Sequence, residues 1–144
     1  MTLHLIKLCV GADSVEDLQD WITRRQAARR AAGEPAEQIH TTRMMPARKD
    51  ELLEGGSLYW VIKGVVQARQ RLIDIRPFKD EDGIKRCHLV MEPVLARTRA
   101  QPRRAFQGWR YLEAADAPED LPERDGAGDL PEDMRQALAE LGLI

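Results

Sequence analysis

Hydrophobic and polar positions in the first third of the chain predict two short strands around one long helix. Residues 3–10 are mostly apolar and end at a glycine, which indicates a strand. Residues 14–32 predict a helix, because apolar side chains recur at helical spacing and arginines fill the C-terminal half. Residues 39–45 are β-branched and alternating, and predict a second strand. A short helical turn is expected over residues 50–53.

The middle of the chain predicts strands that follow one another without helices between them. Residues 58–66 are the most strand-like run, and both faces of their pleat are mostly apolar, so we expect a central strand. Residues 69–76 and 84–91 predict a hairpin, because the turn at residues 80–83 contains an Asp-Gly pair. A last short strand is predicted over residues 109–112.

This order of elements indicates an α+β fold with a small, mostly antiparallel β-barrel or curled sheet and a helix near each end. We expect residues 1–112 to form this single domain, residues 113–128 an acidic linker, and residues 129–144 a C-terminal amphipathic helix. The apolar stripe of that helix is formed by Leu130, Met134, Leu138 and Leu141. The helix should dock on the domain, on a partner protein or on a second copy of the chain.

The composition supports one folded core. The chain has 144 residues, of which 43% are apolar and 32% charged, as in a typical single domain. The longest apolar run, residues 58–62, is far shorter than the roughly 20 residues of a membrane-spanning helix, and residues 1–12 lack the regions of a signal peptide. We therefore expect a cytoplasmic protein without a membrane partner. Cys9 and Cys87 lie in no paired-cysteine motif and are expected to be free thiols.

Charge is distributed unevenly along the chain. Residues 111–144 carry a net charge of −8, whereas residues 1–110 carry a net charge of +6. Residues 97–110 contain five arginines and no acid, a pattern that attracts phosphate or carboxylate groups. Two interpretations stay open: the arginines bind an anionic ligand, or they pair with the acidic tail of the chain itself. The tail could also occupy the site until a ligand displaces it.

Candidate catalytic chemistry is sparse. The three histidines, His4, His40 and His88, have no metal-site spacing, and the sequence predicts neither a metal nor a cofactor. Asp74 stands between two isoleucines and is the carboxylate most expected to be partly buried. It could act as the base of a small enzyme for an anionic or phosphorylated metabolite. A cross-strand arginine or lysine that pairs with it explains the position equally well.

Aromatic residues coincide with the basic segment. Six of the seven aromatic side chains lie between Tyr59 and Tyr111, and single-stranded nucleic acid is bound by arginines and stacking rings. The predicted phosphate contacts are Arg43, Lys63, Arg103, Arg104 and Arg110. Trp109 or Trp60 is expected to offer a stacking face, although aromatic residues in a small domain also fill its core. An RNA or another anionic ligand is the expected partner.

Several runs closely resemble an uncharacterised bacterial family catalogued as a domain of unknown function, number 1489. The resemblance is carried by MTLHLIK (1–7), TRMMP (42–46), GGSLYWVIKG (55–64), RQRLIDI (69–75), DGIKRC (82–87) and FQGWRYL (106–112). A looser likeness links the short helical turn, the glycines and the following strand to PUA-like domains, which include the ASCH and EVE modules. That likeness implies a barrel that binds RNA or modified bases in a cleft beside it.

Overall fold

A computed structural model describes residues 2–122 of the chain, so the predicted terminal helix over residues 129–144 lies outside the described residues. Seven strands, two helices and one short 3-10 turn make up the described part. In chain order they are β1 (Leu3–Leu8), α1 (Val15–Ala31), β2 (Gln38–Thr42), α2 (Lys49–Leu52), β3 (Ser57–Ile62), β4 (Val65–Lys79), β5 (Lys85–Met91), β6 (Ala96–Pro102), β7 (Trp109–Glu113) and the 3-10 turn (Ala114–Asp116).

The strands form one mostly antiparallel sheet, which confirms the predicted α+β class. Its order is β2-β5-β4-β3-β1-β7, and β6 also pairs with β4. The fifteen residues of β4 are hydrogen-bonded to β3, β5 and β6, all antiparallel, whereas β1 runs parallel to β3. Among the described residues the strand pairings leave the sheet open instead of closing it into a barrel.

The prediction of one strand over residues 58–66 was wrong, because the chain reverses inside this run. Lys63 and Gly64 have φ angles of 50° and 78° and form a two-residue turn between β3 and β4. Positive φ at both central residues matches the twist that a tight hairpin needs. Lys63 therefore lies at a hairpin tip and not on the face of a strand.

Helix α1 follows the prediction closely. Ser14 caps its start, since the hydroxyl accepts a hydrogen bond of 3.1 Å from the amide of Asp17. Arginines occupy the last turn, where the helix dipole favours positive charge. One side of the helix packs into the main apolar cluster through Val15, Leu18 and Ile22.

Both faces of the central strands are buried, as the sequence predicts for β3. Leu5 and Trp60 belong to the main cluster beneath α1, whereas Ile6 and Tyr59 belong to a second cluster on the opposite face. Neighbouring residues of a strand point to opposite faces, so each strand contributes to both clusters. Within residues 2–122, no helix is both long and apolar enough to cross a membrane.

Gly56 marks a close approach of three backbone segments. A Cβ atom at this position would lie 2.3 Å from the carbonyl oxygen of Leu3 and 2.4 Å from that of Leu52. Only a residue without a side chain lets the end of α2 pass this close to β1 before β3 begins.

Candidate functional site

A surface cavity of about 470 Å³ brings together three of the predicted cations. Arg103 and Arg104 follow β6, and Arg110 lies on β7. The cavity is also lined by two half-buried aromatic residues, Phe106 and Tyr111, but the ring of Tyr111 packs against the main apolar cluster on the other face of the sheet. We call this site, defined by these five residues, the arginine cavity. It lies on the face of the sheet opposite α1, because its lining includes members of the second apolar cluster.

Neutral groups hold two of these guanidiniums in place. Arg103 donates hydrogen bonds of 3.0 and 2.7 Å to the side-chain oxygen of Gln101. Arg110 donates to the carbonyl oxygen of Gln107 at 3.0 Å, and its guanidinium lies 5.4 Å from the ring centroid of Phe106. Within residues 2–122, no carboxylate contacts the guanidinium of Arg103, Arg104 or Arg110. Their positive charges are therefore free to bind an anion.

The two remaining predicted cations, Arg43 and Lys63, do not line the arginine cavity. Arg43 is exposed just after β2. Lys63 lies at the hairpin tip, and its ammonium nitrogen is 3.8 Å from Asp13. The turn itself is next to the cavity, because the amide of Arg103 donates to the carbonyl oxygen of Gly64 at 2.8 Å.

The predicted stacking role of the indoles does not fit their burial. Trp60 is 4% exposed and Trp109 is 8% exposed, so neither offers a ring face to a base. The indole nitrogen of Trp60 donates to Gln70 at 2.9 Å, and that of Trp109 donates to the carbonyl oxygen of Met44 at 2.8 Å. Both side chains belong to the main apolar cluster, which is the core-filling role that the sequence also allowed.

The acidic segment after β7 pairs with a different set of arginines. The guanidinium of Arg69 donates to both carboxylate oxygens of Asp120, at 2.8 and 2.7 Å. The amide of Arg99 donates to the carbonyl oxygen of Glu119 at 2.8 Å, and the side chains of these residues approach to 3.7 Å. The interpretation that arginines pair with the acidic segment therefore holds for these two. The arginines of the arginine cavity contact no carboxylate within the described residues, although Arg103 donates a hydrogen bond of 3.3 Å to the backbone carbonyl oxygen of Asp116.

Asp74 is not placed to act as a base. Its carboxylate accepts hydrogen bonds of 2.8 Å from the guanidinium of Arg76 and from the amide of Ile75. The hydrogen bond from Arg76 is the main reason that the pKa of Asp74 is lowered. The side chain is 36% exposed and lines neither the arginine cavity nor the cavity between α1 and the end of β1. Pairing with nearby cations explains this residue, but these cations are Arg76 on the same strand and Lys49 of α2, whose ammonium nitrogen lies 4.0 Å from the carboxylate, and not a residue of a neighbouring strand.

A second cavity, of about 500 Å³, lies between α1 and the end of β1. We call it the helix cavity. Its buried and half-buried lining includes four side chains that carry polar groups: Lys7, Cys9, His40 and Trp60. Among these four, the sequence predicts a binding role only for Trp60. The sequence feature that could have indicated this site is Lys7, because it is a charged residue inside the apolar run of the first strand.

Burial changes the acid-base properties of the helix cavity. Burial lowers the pKa of His40 from 6.5 to about 4 and also lowers the pKa of Lys7. The same desolvation raises the pKa of the Cys9 thiol to about 11. The imidazole and the thiol are therefore neutral near pH 7. No group of three side chains that could hold a metal ion occurs within residues 2–122.

The fold and the cavities define an α+β protein with an open sheet that carries an arginine-lined site on one face and a second cavity on the other. The chain belongs to the family described as "Protein of unknown function (DUF1489)", whose model matches residues 5–144. This confirms the family that the sequence resembles. Neither a curated protein nor a solved structure matches the chain.

Proposed function

We propose that this protein is a PUA-like nucleic-acid-binding module that holds RNA phosphates in the arginine cavity. The observation that carries the proposal is the convergence of Arg103, Arg104 and Arg110 in one cavity without a carboxylate partner in the described part of the chain. An anionic polymer would supply the missing partners. The looser likeness of the sequence to PUA-like domains supports the same function.

Arginine suits this role because its planar guanidinium can donate two parallel hydrogen bonds to a phosphate. Phe106 takes the place of the buried indoles as the stacking surface, since it is half-buried in the cavity wall. The ring of Tyr111 does not serve this role, because it packs against Trp109 and Arg48 on the opposite face of the sheet. Stacking of a base on such a ring tolerates any sequence. The proposed ligand is therefore single-stranded or looped RNA, bound with little sequence preference.

The test is a fluorescence anisotropy titration of a labelled single-stranded RNA and a labelled hairpin RNA at two salt concentrations. The variant Arg103→Ala/Arg104→Ala should bind more weakly than the parent protein. Its salt slope should be smaller by about 1.4, because each phosphate contact to a single strand contributes about 0.7.

The matched control is Arg30→Ala/Lys85→Ala, which removes the same charge from exposed positions on α1 and β5. This control should keep most of the salt slope of the parent protein. Equal binding by the two double variants would overturn the proposal, because it would leave only a general effect of net charge.

A further inference from the structure

The helix cavity contains a cation where the fold calls for an apolar side chain. Leu3, Leu5 and Lys7 alternate along β1 and so point to the same face, toward the main apolar cluster beneath α1. The first two side chains are buried in that cluster. The third is half-buried and has no hydrogen-bond or ion-pair partner within residues 2–122. A partly desolvated ammonium without a partner is unfavourable for stability.

A second polar group in the same cavity also lacks a partner. The Nε2 atom of His40 is buried and forms no hydrogen bond. Its ring lies edge-to-face with the indole of Trp60, with centroids 5.2 Å apart. The positive charge of Lys7 contributes to the lowered pKa of this histidine, so the two groups are close enough to interact. A nearby anion would pair with the ammonium of Lys7, and it would accept a hydrogen bond from the neutral imidazole in the tautomer that carries its proton on Nε2.

The acids of the cavity do not supply that anion. Asp17 and Asp20 line the helix cavity from α1, but both are exposed at its mouth. The carboxylate of Asp17 accepts a hydrogen bond of 3.1 Å from the amide of Asp13, so it is held near the start of the helix. Water screens charges at such exposed positions, whereas the half-buried ammonium is screened less.

The mouth of the cavity combines accessible apolar side chains with the exposed charges of Asp17, Asp20 and Arg24. Val10 is 91% exposed and Trp21 is 38% exposed, which is unusual for large apolar side chains in one cavity wall. The volume of about 500 Å³ is in the range of small-molecule sites.

We propose that the helix cavity binds a small molecule that places a carboxylate or phosphate group beside Lys7 and an apolar body against the exposed Trp21, with the buried Trp60 in the cavity wall. This site is on the opposite face of the sheet from the arginine cavity and does not depend on the proposed RNA binding. The shared chemistry of the ligand is one anionic head group on a compact, preferably planar, apolar body.

The three tryptophans provide a position-specific test by two-dimensional NMR of the indole N–H groups. Trp21 and Trp60 line the helix cavity, whereas Trp109 does not, and single Trp→Phe variants assign the three signals. The probes are benzoate, phenyl phosphate and the uncharged benzamide, each titrated to millimolar concentration.

Benzoate or phenyl phosphate should shift the Trp21 and Trp60 signals and leave the Trp109 signal in place. Benzamide should bind at least about tenfold more weakly, because it cannot form the charge-assisted contact with the ammonium. Lys7→Met should abolish this preference for the anion, and Lys7→Arg should retain it. Arg103→Ala/Arg104→Ala should change neither the shifts of the Trp21 and Trp60 signals nor the preference for the anion. This proposal and the proposed RNA binding can therefore fail separately.

The thermal unfolding of Lys7→Met provides a second readout in the absence of any probe. We expect an unchanged or higher melting temperature, because the substitution removes an unpaired, half-buried charge. Equal affinity for benzoate and benzamide, anion binding by Lys7→Met as tight as by the parent protein, or no shift with either anion would each overturn the proposal.

Discussion

Arg69 on β4 holds Asp120 through two hydrogen bonds of 2.8 and 2.7 Å. The same guanidinium donates to the hydroxyl of Ser57 on β3 at 2.9 Å. One side chain therefore connects the middle of the sheet to the segment that follows β7. The amide of Leu121 donates a hydrogen bond of 2.9 Å to the backbone carbonyl oxygen of Arg97 on β6. The segment after β7 is therefore attached to β6 as well.

Asp120→Asn should weaken this attachment by removing the charge from one end of the ion pair. We expect the free energy of unfolding to fall by about 1 kcal/mol, since the pair has two parallel hydrogen bonds but is partly exposed. Urea denaturation near pH 7 measures the change, and Glu119→Gln, whose side chain is 84% exposed, is the control.

The difference between Asp120→Asn and the parent protein should depend on pH. The hydrogen bond from Arg69 lowers the pKa of Asp120 below 3.8, so the ion pair stabilises the fold above that pH. The difference should shrink as the pH falls below 3.8 and the carboxylate becomes protonated. A stability difference between the two proteins that is independent of pH would show that the charge of Asp120 does not stabilise the fold.

The buried His4 and the half-buried His40 should make the protein less stable in mild acid. Burial is the main cause of the lowered pKa values of His4 and His40, and the Nδ1 atom of His4 also accepts a hydrogen bond from the amide of Ser57. Both rings are neutral in the folded protein at a pH where the unfolded chain already binds protons, so stability falls as the pH drops below 6.5.

For His40 alone the loss should approach about 3 kcal/mol between pH 7 and pH 4. His40→Gln should therefore show a weaker pH dependence than the parent protein over this range. Urea denaturation at several pH values gives the free energies of unfolding. Parallel curves for the two proteins would contradict the assignment of a neutral, buried imidazole.

Gly56→Ala should be severely destabilising. Its Cβ would meet two carbonyl oxygens of the backbone, which cannot rotate away as a side chain can. We expect a loss of about 3 kcal/mol or more in the free energy of unfolding. Gly33→Ala is the matched control: its φ of 73° is unfavourable for alanine, but its Cβ would meet no atom within 4 Å, so about 1 kcal/mol is expected. Similar losses for both variants would contradict the close approach.

Cys9 should react slowly with alkylating reagents in the folded protein. Because its pKa is raised to about 11, the thiolate fraction near pH 8 is roughly a hundredfold lower than that of an ordinary thiol. Mass spectrometry after iodoacetamide treatment should show a rate that rises about tenfold per pH unit up to pH 10. Cys87 is fully buried and serves as the unreactive internal control. Rapid labelling of Cys9 at pH 7 would contradict the prediction.

Removal of residues 123–144 should strengthen RNA binding. These residues carry a net charge of −4, and a polyanion is attracted more strongly when that charge is absent. A severalfold gain in affinity is expected at low salt and should disappear at high salt, where the charges are screened. Thermal unfolding checks that the shortened chain is folded, and unchanged affinity at low salt would contradict the prediction.

The sequence predicts the regular elements well where local signals are strong. Helix α1 has a capping serine, an acidic first turn and a basic last turn, so its bounds agree with the prediction within one residue. The hairpin of β4 and β5 is likewise predicted by its Asp-Gly turn. Lys63 and Gly64 lie between β-branched residues that favour a strand on both sides, and this hid the turn between β3 and β4. Strand β6 was missed because the prolines and arginines around it suggest an irregular segment.

The arginine cavity and the helix cavity also differ in how far the sequence predicts them. Arg103, Arg104 and Arg110 are close in sequence, so their convergence in one cavity could be expected. The helix cavity joins Lys7 to His40, which lie on strands separated by β3, β4 and β5 in the sheet. No spacing in the sequence encodes a shared cavity of this kind, because the cavity depends on how the sheet is ordered and on where α1 packs.

The position of β1 in the sheet has a consequence for synthesis of the chain. This first strand lies between β3 and β7, and its second neighbour ends only at Glu113. The N-terminus leaves the ribosome first, so β1 lacks its neighbour β7 until most of the protein has been synthesised. A chaperone that binds short apolar segments would find β1 accessible during this interval.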